Sequence, residues 1–459
     1  MKITDCLNRK EAAFRAYEKL LESQKDLNAV ITPIAPSGSF SDGKLSGVPI
    51  AVKDNVSTQD ILTTAGSAIL QNNIPVFDAT IVERLKGEGA VIIAKSSLDE
   101  LSMGSRNLTS FFGEVHNPHD LSRVPGGSSG GSAALVAAGI VPAAIGSDTG
   151  DSVRKPASYC GIIGVKPTYG LISRYGIIPY AASLDTVGYF TTNVKDACRM
   201  LEVLAGHDEK DMTSSDRRKE NYEEELTSDI RGKKVLIMKD VLDAIKDERI
   251  HLLFDNVINI LKKRGALVEE ARFDKDLLCA AFPVYYTIAN AEAVFHHANL
   301  TGIPSGEREE GEDCEEIITA SRTKGFGHNT KKRFMIGAYA LQEENREKVL
   351  VKARKIRKQI SDMVLKKMES ADVLLAPSAP KIAPPIKEKA RIETDEEFLI
   401  ADNHMVIENL SGMPGMSMPM GKVEGMPVGV HIAAKLFDEK TMFSVAKAIE
   451  EDSVKMFRE

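Results

Sequence analysis

The chain has 459 residues, 43% of them hydrophobic and 6% aromatic, with no tryptophan. That is enough apolar material for a large α/β core and excludes a disordered chain. A formal net charge of -7 argues against a surface built to lie along phosphate backbones, so any nucleic acid is expected to be held by a partner. The five cysteines (Cys6, Cys160, Cys198, Cys279, Cys314) are scattered without a CxxC pair, which speaks against a disulfide frame or zinc cluster. The amino terminus is polar, and no stretch reads as the ~20 apolar residues that span a bilayer, so a cytoplasmic protein without a membrane segment is expected.

Helical spacing runs from Glu11 to Ser23 (Ala13, Phe14, Tyr17, Leu20, Leu21) and leads into the strand-like "AVITPI". "GVPIAVK" and "AVIIAK" are continuous apolar runs of the kind buried on both faces of a sheet. Between them, "DATIVERLKGEG" reads as a helix with Asp78 near its cap. A second short strand is expected at Val141 to Ile145. Residues 206–232 lack apolar periodicity and form a surface excursion or a linker before a new strand, "KKVLIMK". Glu307 to Glu316 reads as an acidic surface loop, and Arg346 to Lys367 as a basic helix with a solvated face.

The stretch "VPGGSSGGSAALVAAGI", Val124 to Ile140, packs four glycines and three serines into its first nine residues. It lacks the GxxxxGK[ST] and strand-led GxGxxG patterns of a phosphate cradle. Gly127, Ser129 and Gly131 satisfy GxSxG, but the preceding "NPHDLSRVP" carries charges and two prolines and cannot be the central strand that a nucleophile elbow requires. On this segment alone, a structural glycine turn capping a buried helix is the favoured reading.

The next segment adds chemistry. After the strand at Val141, the turn "GSDTGDS" can present successive backbone N–H groups to one point, with Ser152 on it, as a site for a developing oxyanion would need. A serine nucleophile needs a base. The histidines are scattered, and the HxxH at His116 and His119 lies in a proline-interrupted loop. Lys53 is better placed: it ends an apolar strand, where burial can pull a lysine from ~10.4 towards ~6 and leave a neutral amine competent as a general base. Taken alone, it reads first as a strand-end lysine reaching solvent.

Together, "GVPIAVKDN", "GGSSGGSAA" and "GSDTGDSVRKPASYCGIIGVKPTYG" resemble the amidase signature family, over nearly the whole chain. The resemblance implies an α/β fold with a large mixed central sheet covered by helices on both faces, residues 1–459 forming a single domain. It also implies a Ser-cis-Ser-Lys triad that cleaves carboxamides. Carried over residue by residue, the lysine is Lys53, the bridging serine after a cis peptide bond is Ser128, and the nucleophile is Ser152. The separations along the chain match those of the family. Ser128 would hydrogen-bond Ser152 on one side and Lys53 on the other, and the N–H groups of Thr149, Gly150, Asp151 and Ser152 would hold the oxyanion.

Within the family, "GLISRYGIIPYAASLDTVGYF", "ADVLLAPSAP" and "NLSGMPGMSMPMG" are similar to the glutamine-hydrolysing subunits of tRNA-dependent amidotransferases. This implies ammonia released from glutamine for transamidation of Glu-tRNA(Gln) or Asp-tRNA(Asn). A B subunit would hold the tRNA and use ATP and magnesium, and a C subunit would brace the pair, with no cofactor or metal in this chain. Arg333 matches the arginine for the glutamine carboxylate and Asp402 the acid for its α-amino group; without the resemblance, each reads as a surface charge.

There are departures. Asp151 stands where the family has a second glycine, the head before "LNAVIT" is short, and "IANAEAVFHHANLTGIPSGEREEG" is atypical. Asp151 is expected to pair with Lys155 and point out of the oxyanion hole. A stand-alone amidase acting on another carboxamide and a catalytically silent scaffold subunit stay open beside the main reading.

Overall fold

The computed structural model of the protein describes residues 1–37, 39–217, 219–388 and 393–456. Its strands are β1 (Val30–Pro33), β2 (Pro49–Lys53), β3 (Val91–Ser96), β4 (Ala143–Asp148), β5 (Ile163–Lys166), β6 (Thr186–Thr191), β7 (Lys234–Met238), β8 (Leu267–Ala271), β9 (Val373–Pro377), β10 (Gly415–Val423) and β11 (Met426–Ala434). Among the described residues these eleven form one mixed sheet in the order β1-β3-β2-β4-β6-β5-β10-β11-β9-β7-β8. Strands β3, β2 and β4 are parallel neighbours, so their carboxyl ends share one edge, the edge at which ligands bind in open α/β sheets.

The apolar runs are continuous because successive side chains enter different cores. Ile50 and Val52 of β2 join one core with Ile81, Val82 and Leu85, whereas Ala51 joins the other with Ala13, Ala16 and Leu20. Helix α1 (Lys10–Leu27) supplies those last three residues. Helices α2 (Thr80–Gly87) and α3 (Gly130–Ala137) therefore cover opposite faces, α3 through Ala133 to Val136. The sheet is thus mixed and clothed by helices on both faces, as the resemblance implies.

Several local expectations need correction. Asp78 does not cap α2, whose N-cap is Ala79; its carboxylate accepts from the Gln59 N–H and pairs with Lys86. Strand β4 starts later than Val141 and runs on to Asp148, which brings Ser147 into the sheet. The acidic run ends in a helix from Cys314, with Asp313 capping it by accepting from the Glu316 N–H. Helix α5 (Lys275–His296) contradicts the expectation that no segment is apolar over a membrane-spanning length: an 18-residue window within its 22 residues has a mean hydropathy of 1.3. It packs against α6 (His328–Leu341) and α7 (Lys352–Met368). The segment 206–232 holds no helix or strand among its described residues and runs from the helix Val194–Leu204, which follows β6, to β7 of the same sheet.

Candidate active site

Lys53 is the last residue of β2, with none of its surface exposed. Its ammonium nitrogen lies 2.8 Å from Ser128 Oγ and 2.8 Å from Ser147 Oγ. Burial pulls the amine down to about 7, against the opposing pull of Asp99, Asp148 and Asp185. The lysine is therefore available as a neutral base near neutral pH.

Ser128 follows a cis Gly127–Ser128 peptide bond. The crowding around Gly127 shows why this stretch is rich in glycine: a Cβ there would fall against the Asp99 carboxylate and the Arg106 N–H. That carboxylate is committed, accepting from Asn107, Leu108 and Thr109 N–H at 2.8, 3.1 and 3.3 Å. The Gly-Ser segment is thus pressed between the 97–109 loop and the turn that carries Ser152, where Ser129 N–H donates to Ser152 O at 3.2 Å. The expected hydrogen bond between the Ser128 and Ser152 hydroxyls is not present among the described residues, although the Lys53–Ser128 link is.

Ser152 sits in the turn after β4, just before helix α4 (Arg154–Cys160). Asp148 organises that turn. Its carboxylate accepts from Val153 N–H at 3.0 Å, from Arg154 Nε and Nη2 at 3.1 and 2.9 Å, and from Asn409 Nδ2 at 3.0 Å. Burial alone would raise its pKa, but the Arg154 guanidinium outweighs that and holds it down to about 2. Arg154 also donates to Gly150 O at 2.8 Å and to Glu408 at 2.7 Å, tying the turn to helix α8 (Val406–Ser411). The N–H groups of Thr149, Gly150, Asp151 and Ser152 have no acceptor among the described residues. Unpartnered donors in a turn this buried are costly unless a ligand oxygen fills the role. Gly150 has no Cβ because Tyr285 would stand 2.9 Å from it.

A cavity of about 290 Å³ opens beside this turn, lined by Gly150, Asp151, Lys155, Tyr285, Arg333 and Asp402 among others. Arg333, on α6, donates to Tyr180 OH at 2.7 Å and lies over the rings of Tyr180 and Tyr286. No carboxylate pairs with it among the described residues. Its helix is anchored by buried Glu100, which accepts from Gly327 N–H at 3.0 Å and from Thr330 Oγ1 at 2.6 Å. The expected Asp151–Lys155 pair is present at 2.9 Å, and Lys155 also reaches Asp402 Oδ1 at 3.2 Å. Burial would lower the Lys155 pKa, but the two carboxylates raise it; burial raises that of Asp151, with Lys155 opposing.

The sequence reading missed Ser147, Tyr180, Glu100 and the Arg154–Glu408 link. Only Ser147 had a signal, had β4 been read past Ile145. His116 and His119 hold backbone carbonyls of Leu121 and Cys160, and the described residues contain no group of three His, Cys, Asp or Glu side chains fit for a metal.

A buried lysine at the carboxyl end of an interior strand, hydrogen-bonded to a serine after a cis bond, thus stands beside a turn of free N–H groups. The amidase family model matches residues 7–443, and the chain belongs to that family. It is 41% identical over 430 residues to the A subunit of the glutamyl-tRNA(Gln) amidotransferase of Persephonella marina, covering 94% of this chain and 87% of that protein. The crystal structure of the same-named subunit from Thermotoga maritima matches with a TM-score of 0.84 at 35% identity, covering 98% and 94% of the two chains. The native peptide amidase of Stenotrophomonas maltophilia matches with a TM-score of 0.82 at 25% identity, again covering 98% and 94%.

Proposed function

We propose that the chain is the glutamine-hydrolysing subunit of a tRNA-dependent amidotransferase. The observation that carries this reading is the pairing of two features. One is a buried lysine held to Ser128. The other is a cavity with an arginine free of carboxylate partners among the described residues and an aspartate, suited to the carboxylate and ammonium of free glutamine.

In this reading neutral Lys53 takes a proton from Ser128 as Ser128 takes one from Ser152, whose Oγ attacks the carboxamide carbon. The Ser128–Ser152 link closes when substrate is bound, as catalytic hydrogen bonds often do only in the complex. The N–H groups of residues 149–152 receive the negative charge on the carbonyl oxygen. Collapse of the tetrahedral species breaks the C–N bond, and the proton returns from Lys53 through Ser128 to the leaving ammonia. Water then attacks the glutamyl ester by the same relay and releases glutamate.

The relatives named as A subunits support an assembly with further subunits, which in this reading are B and C subunits working with this chain in the cytoplasm. In this reading the B subunit holds the mischarged tRNA and uses ATP and magnesium; the acceptor is Glu-tRNA(Gln), which the relatives' name contains. Likeness to a peptide amidase supports a second reading, a stand-alone amidase. The deciding experiment measures glutamate release by the chain alone and co-expressed with candidate B and C subunits. Hydrolysis of glutamine that rises on assembly supports the first reading. Equal activity on simple carboxamides, indifferent to partners, supports the second.

A further inference from the structure

Lys155 sits between two carboxylates of different purpose. Its ammonium has three N–H bonds and three acceptors: Asp151 Oδ2 at 2.9 Å, Asp402 Oδ1 at 3.2 Å and the Asp402 backbone oxygen at 2.5 Å. The lysine side chain is 5% exposed and that of Asp151 13%, whereas that of Asp402 is 31% exposed on the cavity wall. Asp402 Oδ2 has no hydrogen bond among the described residues, so one oxygen of that cavity-lining carboxylate is available to a ligand.

The formal charges decide what this arrangement does. A lysine beside Asp402 alone would neutralise it and weaken its hold on an ammonium ion. Asp151 adds one negative charge on the far side of the same lysine, so the trio carries a net charge of about -1, as a lone Asp402 would. The i,i+4 placement of Asp151 and Lys155 across the start of α4 lets the pair form within one helical turn while Lys155 reaches across to a residue 247 positions away.

We propose that Asp151 and Lys155 together set the pocket's preference for a substrate bearing an α-ammonium group, by restoring to Asp402 the charge that Lys155 alone would cancel. Their side chains determine specificity at the amine end, acting through Asp402, while the Asp151 N–H keeps its place in the oxyanion turn. The proposal rests on the reading of Asp402 as the partner of the substrate ammonium.

The test compares glutamine with its desamino analogue, 5-amino-5-oxopentanoate, which keeps the amide and the carboxylate. Asp151→Asn leaves the trio neutral and should raise KM for glutamine about tenfold more than KM for the analogue, a factor worth about 1.4 kcal/mol. Adding Lys155→Gln to Asp151→Asn should bring the glutamine-to-analogue KM ratio back to within about twofold of the parent. A purely structural pair would instead raise KM for both amides alike, with no recovery in the double variant, and that result overturns the proposal. Should Asp151→Asn fold poorly, glutamine affinity measured calorimetrically in Asp151→Gly and Asp151→Gly/Lys155→Gln must show the same loss and recovery, and its absence overturns the proposal equally. Asp402→Asn separates the two levels. If it harms both amides alike, the reading of Asp402 fails and takes the proposal with it; if it is selective for glutamine while Asp151→Asn is not, the proposal alone fails.

Discussion

Lys53 and Lys95 are a natural pair to compare. They lie near the carboxyl ends of adjacent parallel strands, β2 and β3, and neither has any exposed surface. Lys95 has a carboxylate, Asp54, at 3.4 Å, and donates to Val56 O and Thr63 Oγ1 at 2.6 Å each. Among the described residues Lys53 has only hydroxyls and a distant carbonyl as acceptors. Burial lowers both amines, to about 8 for Lys95, where Asp54 opposes, and to about 7 for Lys53. The lesson is that burial supplies a neutral amine, while the neighbours decide whether it has anywhere to pass a proton. Lys166, a third buried lysine also brought to about 7, donates only to the adjacent Pro167 carbonyl among the described residues and has no relay to join.

The comparison is broken most strongly by substitution. Lys53→Ala, Ser128→Ala and Ser152→Ala should each lower kcat for glutamine by about 10³-fold or more, without adding in combination, because the three act as one relay. Steady-state glutamate release checks this, and near-parental kcat in any one variant removes that residue from the relay. Lys95→Met should do the opposite. Stranding Asp54 in the core should cost about 3 kcal/mol of stability, read from urea unfolding, while turnover per folded molecule persists. Equal loss of turnover at both lysines would erase the distinction.

Substrate binding sharpens it next. Arg333→Ala should raise KM for glutamine about a hundredfold, as the loss of a charge-assisted fork implies, with a much smaller effect on a carboxamide lacking the carboxylate. Equal effects on both amides would make Arg333 a structural residue.

The smallest expected effect is in pH. The working form of Lys53 is the neutral one, so kcat/KM should fall about tenfold per unit as pH drops below about 7 and level off above it. Stability moves in the same sense: the folded pKa lies below the unfolded one, the unfolded chain binds more protons between them, and folding is favoured as pH rises through that window. A flat rate profile from pH 6 to 8 would contradict a titrating lysine base.

How much of this was legible follows from the same residues. Apolar runs that feed two cores announced β2 and β3, so the fold could be read, and the serine and glycine blocks carried the resemblance that nominates Lys53, Ser128 and Ser152. Local pattern reports burial but not partners. Ser147 could be found only by reading β4 past Ile145, nothing in α6 says that Tyr180, 153 positions away, will hold Arg333, and nothing at Asp402 announces Lys155. Asp151 was the exception, because its partner lay four residues on and helical geometry brings such pairs together. The reading also placed a Ser128–Ser152 hydrogen bond that the described residues do not contain.

The central claim is that Ser152 attacks glutamine with Lys53 as the base, and the most direct measurement is to stop turnover with acid and map the acylated peptide. The account predicts a glutamyl ester on Ser152, lost in Ser152→Ala and strongly reduced in Lys53→Ala. An ester on Ser128 or on any other residue, or one that persists in Ser152→Ala, would contradict it.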